Sequence, residues 1–118
     1  MHPFKQIALN WFAAFNEHDI EKLLALYAED AEHYSPKLKE RQPATKGLIK
    51  GKNALRSWWT DAFARLPQLK YEVLLLTADD EQIFMEYDRH VPNEATMRVG
   101  EVLVIRENKI VASRVYHS

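Results

Sequence analysis

Residues 96–106 read TMRVGEVLVIR, and the alternation of apolar side chains in this stretch predicts a β-strand with one buried face. The apolar residues that share this face are Met97, Val99, Leu103 and Ile105. Glu101 lies in the middle of the same face. Because unpaired carboxylates are rarely buried, Glu101 needs a partner or lines a cavity that holds a ligand. The stretch therefore indicates a pocket in the interior of the protein.

Length and composition predict one domain, spanning residues 1–118, with enough apolar residues for a core. Apolar residues make up 47% of the 118, and domains of this size fold without disulfides or metals. The 16 basic and 17 acidic residues give a net charge of −1, which provides no electrostatic support for binding nucleic acid or an anionic membrane. The sequence contains no cysteine, which excludes disulfides, thiolate metal sites and thiol nucleophiles.

Targeting signals are not evident. No apolar run approaches the ~20 residues of a membrane span, and the start of the chain lacks the apolar core of a secretion signal. We therefore expect a cytoplasmic protein that does not bind membranes.

The N-terminal third predicts two helices and a short strand. Apolar residues at helical spacing predict a first helix over residues 4–17. Asp19 is a candidate N-cap for a shorter second helix that continues to Tyr27. Residues 31–35 predict a strand, which Pro36 ends.

Residues 37–50 form the longest segment without a clear period. The segment carries five Lys or Arg residues together with Pro43 and Gly47. Long loops inside compact domains are often functional, so this segment is either a lid over a site or a solvated loop.

The clearest predicted helix follows Gly51 and ends before Pro67. Its apolar residues recur at the spacing of a stripe that faces a core, and they are Leu55, Trp58, Trp59, Ala62, Phe63 and Leu66. Four strands are then predicted, over residues 69–77, 82–92, 95–107 and 109–117. Helices followed by an antiparallel sheet predict an α+β fold.

Four segments stand out through their order and spacing: WFAAFNEHD (11–19), LYAEDAEHYSP (26–36), IKGKNAL (49–55) and KIVASR (109–114). Together they resemble the SnoaL-like branch of the NTF2-like superfamily, over about residues 4–117. The resemblance implies a cystatin-like cone, in which a curved antiparallel sheet wraps round a long helix with N-terminal helices beside it. It also implies a homodimer formed through the outer face of the sheet. Because this superfamily includes ketosteroid isomerase, polyketide cyclases, limonene epoxide hydrolase and scytalone dehydratase, the fold alone does not determine the reaction.

The ketosteroid isomerase pattern is only partly present. The resemblance places Trp11 and Trp59 where that family has tyrosines, and Ser35 where it has the catalytic base. Only the second acid position keeps a carboxyl group, as Glu101. An indole cannot replace a phenol at an oxyanion, and serine is no base at neutral pH. Isomerisation of the steroid type is therefore disfavoured.

The epoxide hydrolase pattern is also incomplete. The resemblance places its Arg–Asp pair and its last-strand Asp at Glu86, Asp88 and Val115, so one of the three residues is kept. The arrangement that polarises both water and epoxide cannot be assembled from these side chains.

The strand at residues 82–92 has two possible inner faces. The register implied by the resemblance points one set inward: Phe84, Glu86, Asp88 and His90. A slip of one residue reverses the faces and makes Tyr87 and Arg89 the pocket pair.

With the first register, we expect Glu101 to be the central acid or base of the pocket and His33 and Asp88 to be its catalytic partners. The other expected ligand-binding residues are Trp11, Ser35, Trp59, Glu86 and His117. Crowded carboxylates raise one another's pKa, and a histidine beside a carboxylate is a general acid–base pair. Glu101 also has a structural interpretation, as a buried carboxylate bonded to His33, to Trp59 or to a backbone amide.

These residues predict an enzyme that uses general acid–base proton transfer on a small, partly apolar organic molecule, as an isomerase, cyclase or dehydratase. No local spacing of ligand-type residues supports a metal site, and the superfamily mostly works without metal or cofactor. The alternative is a non-catalytic ligand-binding or dimerisation module, and a weaker one is a protein–protein adaptor.

Overall fold

The computed structural model describes residues 2–117 and shows helices packed on the inner face of a curved, six-stranded sheet. This arrangement confirms the predicted α+β class. In chain order the elements are α1 (Pro3–Asn16), α2 (Ile20–Leu24), β1 (Tyr27–Tyr34), α3 (Pro36–Arg41), a 3₁₀ turn (Pro43–Thr45), β2 (Leu48–Lys50), α4 (Lys52–Arg65), β3 (Lys70–Ala78), β4 (Gln82–His90), β5 (Met97–Arg106) and β6 (Lys109–Tyr116).

The strands lie in the order β2-β1-β6-β5-β4-β3. Neighbouring strands are antiparallel, except that β1 and β6 run parallel. The parallel pair places His33 opposite Ser113, although 80 positions separate them in the sequence. The sheet therefore brings the first third of the chain beside its last strand.

Helix α1 covers the β3–β4 side of the sheet with an aromatic stripe. Trp11, Phe12 and Phe15 are buried because residues at helical spacing share one face. At the end of α1, Asn16 donates from Nδ2 to the carbonyl of Tyr71 and accepts from the Tyr71 N–H, both at 2.8 Å. These two bonds fix the end of α1 to the start of β3.

Helix α4 covers the β1–β2 side of the sheet. Its buried residues follow the predicted apolar spacing, and they are Leu55, Trp58, Trp59 and Phe63. Within residues 2–117, none of the helices combines the length and the apolar character needed to cross a bilayer.

Residues 37–50 contain α3, the 3₁₀ turn and β2, so the prediction of an irregular segment was wrong. Ser35 caps α3 by accepting a hydrogen bond from the N–H of Lys37 at 3.1 Å, and Pro36 occupies the first turn. Strand β2 extends the sheet by pairing with β1. A helix of six residues that buries only Leu38 produces no periodic apolar signal, which is why the sequence did not predict it.

Strand β1 begins at Tyr27, whereas the sequence placed Tyr27 in the second helix and started the strand at residue 31. The phenol ring of Tyr27 is buried, and its hydroxyl donates to Ser113 on β6 at 3.1 Å. Contacts with a strand more than 80 positions away, which no local pattern reports, therefore determine the start of β1.

Strand β4 presents Ile83, Met85 and Tyr87 to the core, where all three are buried. Met85 pairs with Glu101 in the β4–β5 ladder, so these two residues share the inner face. The outer face carries the alternate residues, Phe84, Glu86, Asp88 and His90. The register predicted from the resemblance was therefore wrong by one residue, because the helices can bury only the apolar alternation of this strand.

Candidate functional site

A cavity of about 90 Å³ lies between the helices and the inner face of the sheet. Aromatic side chains form much of its wall: Trp11, Phe15, Trp58, Trp59, Tyr71 and Tyr87. These include all three tryptophans of the chain. Ligand sites commonly enclose ~300–1,000 Å³, so this cavity suits a small molecule or one end of a larger molecule.

Glu101 lines the cavity from β5 with 1% of its surface exposed. The Tyr87 hydroxyl donates to Oε1 of Glu101 at 2.6 Å, whereas Oε2 has no hydrogen-bond partner among the described residues. Burial raises the pKa of Glu101 from 4.5 to about 7, and the hydrogen bond from Tyr87 opposes this rise. The carboxyl group therefore takes both protonation states near neutral pH and keeps one oxygen for a ligand.

Three tyrosines near Glu101 remain protonated at neutral pH. Burial, and secondly the charge of Glu101, raise the pKa of Tyr27, Tyr71 and Tyr87. The rings of Tyr71 and Tyr87 pack with their centroids 4.3 Å apart. The carboxyl group therefore has neutral phenols as its nearest polar neighbours.

A second set of buried polar groups is joined by hydrogen bonds across the cavity wall. The indole of Trp11 donates from Nε1 to the Tyr27 hydroxyl at 3.0 Å, and that hydroxyl donates to Oγ of Ser113 at 3.1 Å. Oγ of Ser113 lies 2.6 Å from Nδ1 of His33. The series links α1 directly to β1 and then joins the two ends of β1 through Ser113 on β6.

The hydrogen bonds around Ser113 favour one tautomer of His33. An indole N–H only donates, so the Tyr27 hydroxyl accepts from Trp11, and this hydroxyl donates in turn to Ser113. A Ser113 hydroxyl that accepts from Tyr27 has its own proton free for Nδ1 of His33, and this arrangement leaves the imidazole proton on Nε2. Burial lowers the pKa of His33 from 6.5 to about 4, so the ring is neutral near pH 7. With the proton on Nε2, the neutral ring of His33 offers a hydrogen-bond donor to the cavity that it lines.

Glu86 and Asp88, which were expected in the pocket, lie on the outer face of β4. The guanidinium of Arg98 donates from Nε to Asp88 at 2.7 Å and from Nη1 to Glu86 at 3.3 Å. The prediction that Glu86 and Asp88 lie in the pocket was therefore wrong, and Tyr87 and Arg89 line the cavity instead. On the outer face of β4, Glu86 and Asp88 remain in contact with solvent and form salt bridges with Arg98.

The other six predicted residues all line the cavity: Trp11, His33, Ser35, Trp59, Glu101 and His117. Ser35 does so while its hydroxyl caps α3. The ring centroid of Trp59 lies 5.2 Å from those of Tyr27 and His33. His117 lies at the end of the chain beyond β6. The structure thus groups six of the eight predicted residues around one cavity.

A group of possible metal ligands lies on the outer face of the sheet. One ligand atom each from Glu72, Asp88 and His90 lies within 4.8 Å of the others. His90 bonds Glu72 at 3.0 Å, and Arg98 neutralises Asp88. Each of the three groups therefore already has a polar partner, and none of them lines the cavity.

Replacing Tyr87 with phenylalanine is expected to raise the pKa of Glu101 further above about 7, because the hydrogen bond to Oε1 favours the charged carboxylate. A carbon-detected NMR titration of the glutamate carboxyl signals measures this change. Asp88→Asn, on the opposite face of the same strand, is the control that should leave the pKa of Glu101 unchanged. An unchanged or lower pKa in Tyr87→Phe would show that the hydrogen bond does not act on the carboxylate.

Comparison with known proteins places the fold among established structures. The protein-family model for the SnoaL-like domain matches residues 8–113 of this chain. A SnoaL-like protein of unknown function from Burkholderia thailandensis superposes with a TM-score of 0.87 and 22% identity, over 97% of this chain and 92% of that chain. A protein from Sinorhizobium meliloti, provisionally assigned as a polyketide cyclase, gives a TM-score of 0.80 and 16% identity, over 98% and 100%.

A protein from Kribbella flavida, provisionally assigned as a ketosteroid isomerase, gives a TM-score of 0.81 and 17% identity, over 98% of this chain and 78% of that chain. Other neighbours are described as having a cystatin-like fold, in agreement with the cone predicted from the resemblance. No curated protein matches this sequence. At these identities the structural neighbours establish the fold alone.

Proposed function

The chain belongs to the SnoaL-like domain family, and from this premise we propose that it is a cofactor-independent enzyme that transfers a proton on a small, partly apolar organic molecule. The reaction class is that of an isomerase, a cyclase or a dehydratase. The observation that carries this proposal is the state of Glu101, which is buried in a cavity wall with a pKa of about 7 and with Oε2 unpartnered among the described residues.

Glu101 is suited to act as both base and acid in one turnover. A general acid–base catalyst works best when its pKa lies near the working pH. As a carboxylate, Glu101 takes a proton through Oε2 from a carbon next to a carbonyl group. The resulting acid returns that proton to a second position of the same molecule. Tyr87 holds Oε1 throughout, so the carboxyl group keeps its orientation.

His33 supplies a neutral hydrogen-bond donor to the same cavity. The negative charge that develops on a carbonyl oxygen during enolisation is stabilised by an N–H group aimed at it. Nε2–H of His33 fits this role because Ser113 occupies Nδ1. The aromatic side chains of the wall lower the local dielectric constant, which strengthens both interactions.

Proton exchange tests this proposal with simple probe compounds in place of the natural substrate. One-ring ketones and enones that quench the tryptophan fluorescence are selected first, since all three tryptophans line the cavity. Their uptake of deuterium next to the carbonyl group is then followed by NMR in D₂O near pH 7. We expect the wild type to catalyse exchange in at least one of them and Glu101→Gln to lose it. Glu40→Gln, which changes an exposed glutamate on α3, should retain it.

A non-catalytic ligand-binding module is the second candidate function. Two observations favour it: Asp88 does not line the cavity, and His33 is neutral. Among the described residues that line the cavity, Glu101 is then the one with an acidic side chain. Compounds that bind without any exchange would support this module and contradict the enzyme.

We further propose that two copies of the chain associate through the outer face of the sheet. Leu75 and Phe84 support this association, because both are apolar, lie on that face and are 53% and 37% exposed. Light scattering should give twice the mass of one chain, and Phe84→Glu should reduce it to that of one. A single-chain mass for the wild type would contradict the dimer.

A further inference from the structure

The charged residues that line the cavity are mostly cations. Among the described lining residues, four carry Lys or Arg side chains and one carries a carboxyl group, Glu101. The whole chain, in contrast, has 16 basic and 17 acidic residues. The excess of positive charge is therefore a local property of this cavity.

Helix α3 supplies two of these cations, Lys37 and Arg41. They are four positions apart, so the helix brings them to one face. Neither side chain makes a hydrogen bond or an ion pair with any residue in the described range 2–117. Like charges at this spacing destabilise a helix. An anion between them would remove that repulsion.

The other two cations lie on α4 and β4 and are partly neutralised. Arg65 bonds Asp61 at 2.7 Å, and Arg89, whose side chain is 11% exposed, bonds Glu94 at 2.9 Å. The pKa of Asp61 is lowered by its hydrogen bond from Arg65 and, to a smaller extent, by the charge of Arg41. Arg41 therefore lies near Arg65, and the cations of α3 and α4 act on the same region.

We propose that the ligand of this cavity is an organic carboxylate: a body of about one ring lies against the tryptophans, and its carboxylate group is held by Lys37 and Arg41. This inference rests on the proposed small-molecule pocket and adds the chemical class of its ligand. Glu101 and the carboxylate group contact different parts of the molecule, since Glu101 lies on the sheet and the two cations lie on α3. The cavity volume of about 90 Å³ agrees with a ligand whose charged end remains outside the aromatic wall.

A pair of matched probes tests the charge requirement. 4-Nitrobenzoate and 4-nitrobenzamide have nearly the same shape, and both report binding by quenching the tryptophans. We expect the wild type to bind the benzoate about tenfold more tightly, the factor that corresponds to one charge-assisted hydrogen bond. In the double variant Lys37→Gln/Arg41→Gln this preference should disappear, while the affinity for the amide stays within about twofold.

Lys39→Gln is the control, because Lys39 lies on the same helix but does not line the cavity. It should leave both affinities unchanged. Equal binding of the two probes by the wild type, or an equal loss of both in the double variant, would overturn the carboxylate while leaving the pocket in place. If neither probe binds, both the proposed function and the carboxylate ligand are contradicted, because both need a pocket that accepts a small molecule.

Discussion

Replacing Glu101 with glutamine is expected to make the folded protein more stable by about 3 kcal/mol at pH 9, while lowering catalysed proton exchange at least about a hundredfold. The carboxyl group has a pKa of about 7 in the fold and 4.5 as its ordinary value. One pH unit of difference corresponds to about 1.36 kcal/mol. Because burial disfavours the charged form, the ionised side chain costs stability that a neutral amide does not.

The pH range of this effect follows from the direction of the shift. Between about pH 4.5 and 7 the unfolded chain has lost the proton of Glu101 and the folded chain retains it. The folded state therefore binds more protons, so its stability falls as the pH rises through this range and is constant above it. Below pH 4.5 the wild type and Glu101→Gln should be equally stable, since both side chains are neutral.

Urea unfolding at pH 4 and pH 9, followed by tryptophan fluorescence, measures the difference. Glu40→Gln is the control for a general change in net charge, because Glu40 is exposed on α3. A Glu101→Gln variant that is less stable than the wild type at both pH values would show that the carboxylate holds the fold together. Its role would then be structural, and the proposed catalysis would lose its main support.

The strand that carries Glu101 could be predicted from sequence because its two faces differ clearly. In β5 the inward residues Val99, Leu103 and Ile105 are buried as predicted, and Glu101 is the one polar exception among its neighbours on that face. The exception was informative because a buried carboxylate needs a physical reason. Tyr87, the partner that the structure shows, was available from the alternative register of β4.

The register of β4 was not predictable from the resemblance. Both alternations of this strand contain an aromatic and a charged residue, namely Tyr87 with Arg89 and Phe84 with Asp88. The apolar pair Ile83 and Met85 favours the first alternation, and burial follows that pair. Physical patterning was a better guide here than the positions of a distant family.

The cations of α3 could not be assigned to the site from sequence. Residues 37–50 show their basic character plainly, but only a helix places Lys37 and Arg41 together. That helix depends on the cap provided by Ser35 and on the burial of Leu38. Two single contacts of this kind produce no periodic pattern of apolar residues in the sequence. Short elements held by tertiary contacts are where patterns in sequence are least informative.

Ser113→Ala is expected to destabilise the protein by about 2–4 kcal/mol, because it removes one hydroxyl from the middle of a buried hydrogen-bonded series. Tyr27 would lose the acceptor for its proton, and Nδ1 of His33 would lose its donor. Each buried group left without a partner costs about 1–3 kcal/mol. Ser57→Ala, on the exposed side of α4, should change stability little, since alanine favours helix.

The same variant tests the tautomer of His33, which the proposed stabilisation of an oxyanion requires. Nitrogen NMR of the imidazole should show the proton on Nε2 in the wild type and a mixture of tautomers in Ser113→Ala, because Ser113 no longer donates to Nδ1. Catalysed exchange should fall together with the population that carries the proton on Nε2. A wild-type ring protonated on Nδ1 would mean that His33 donates to Ser113 and presents an acceptor to the cavity, which would reverse its proposed role in the reaction.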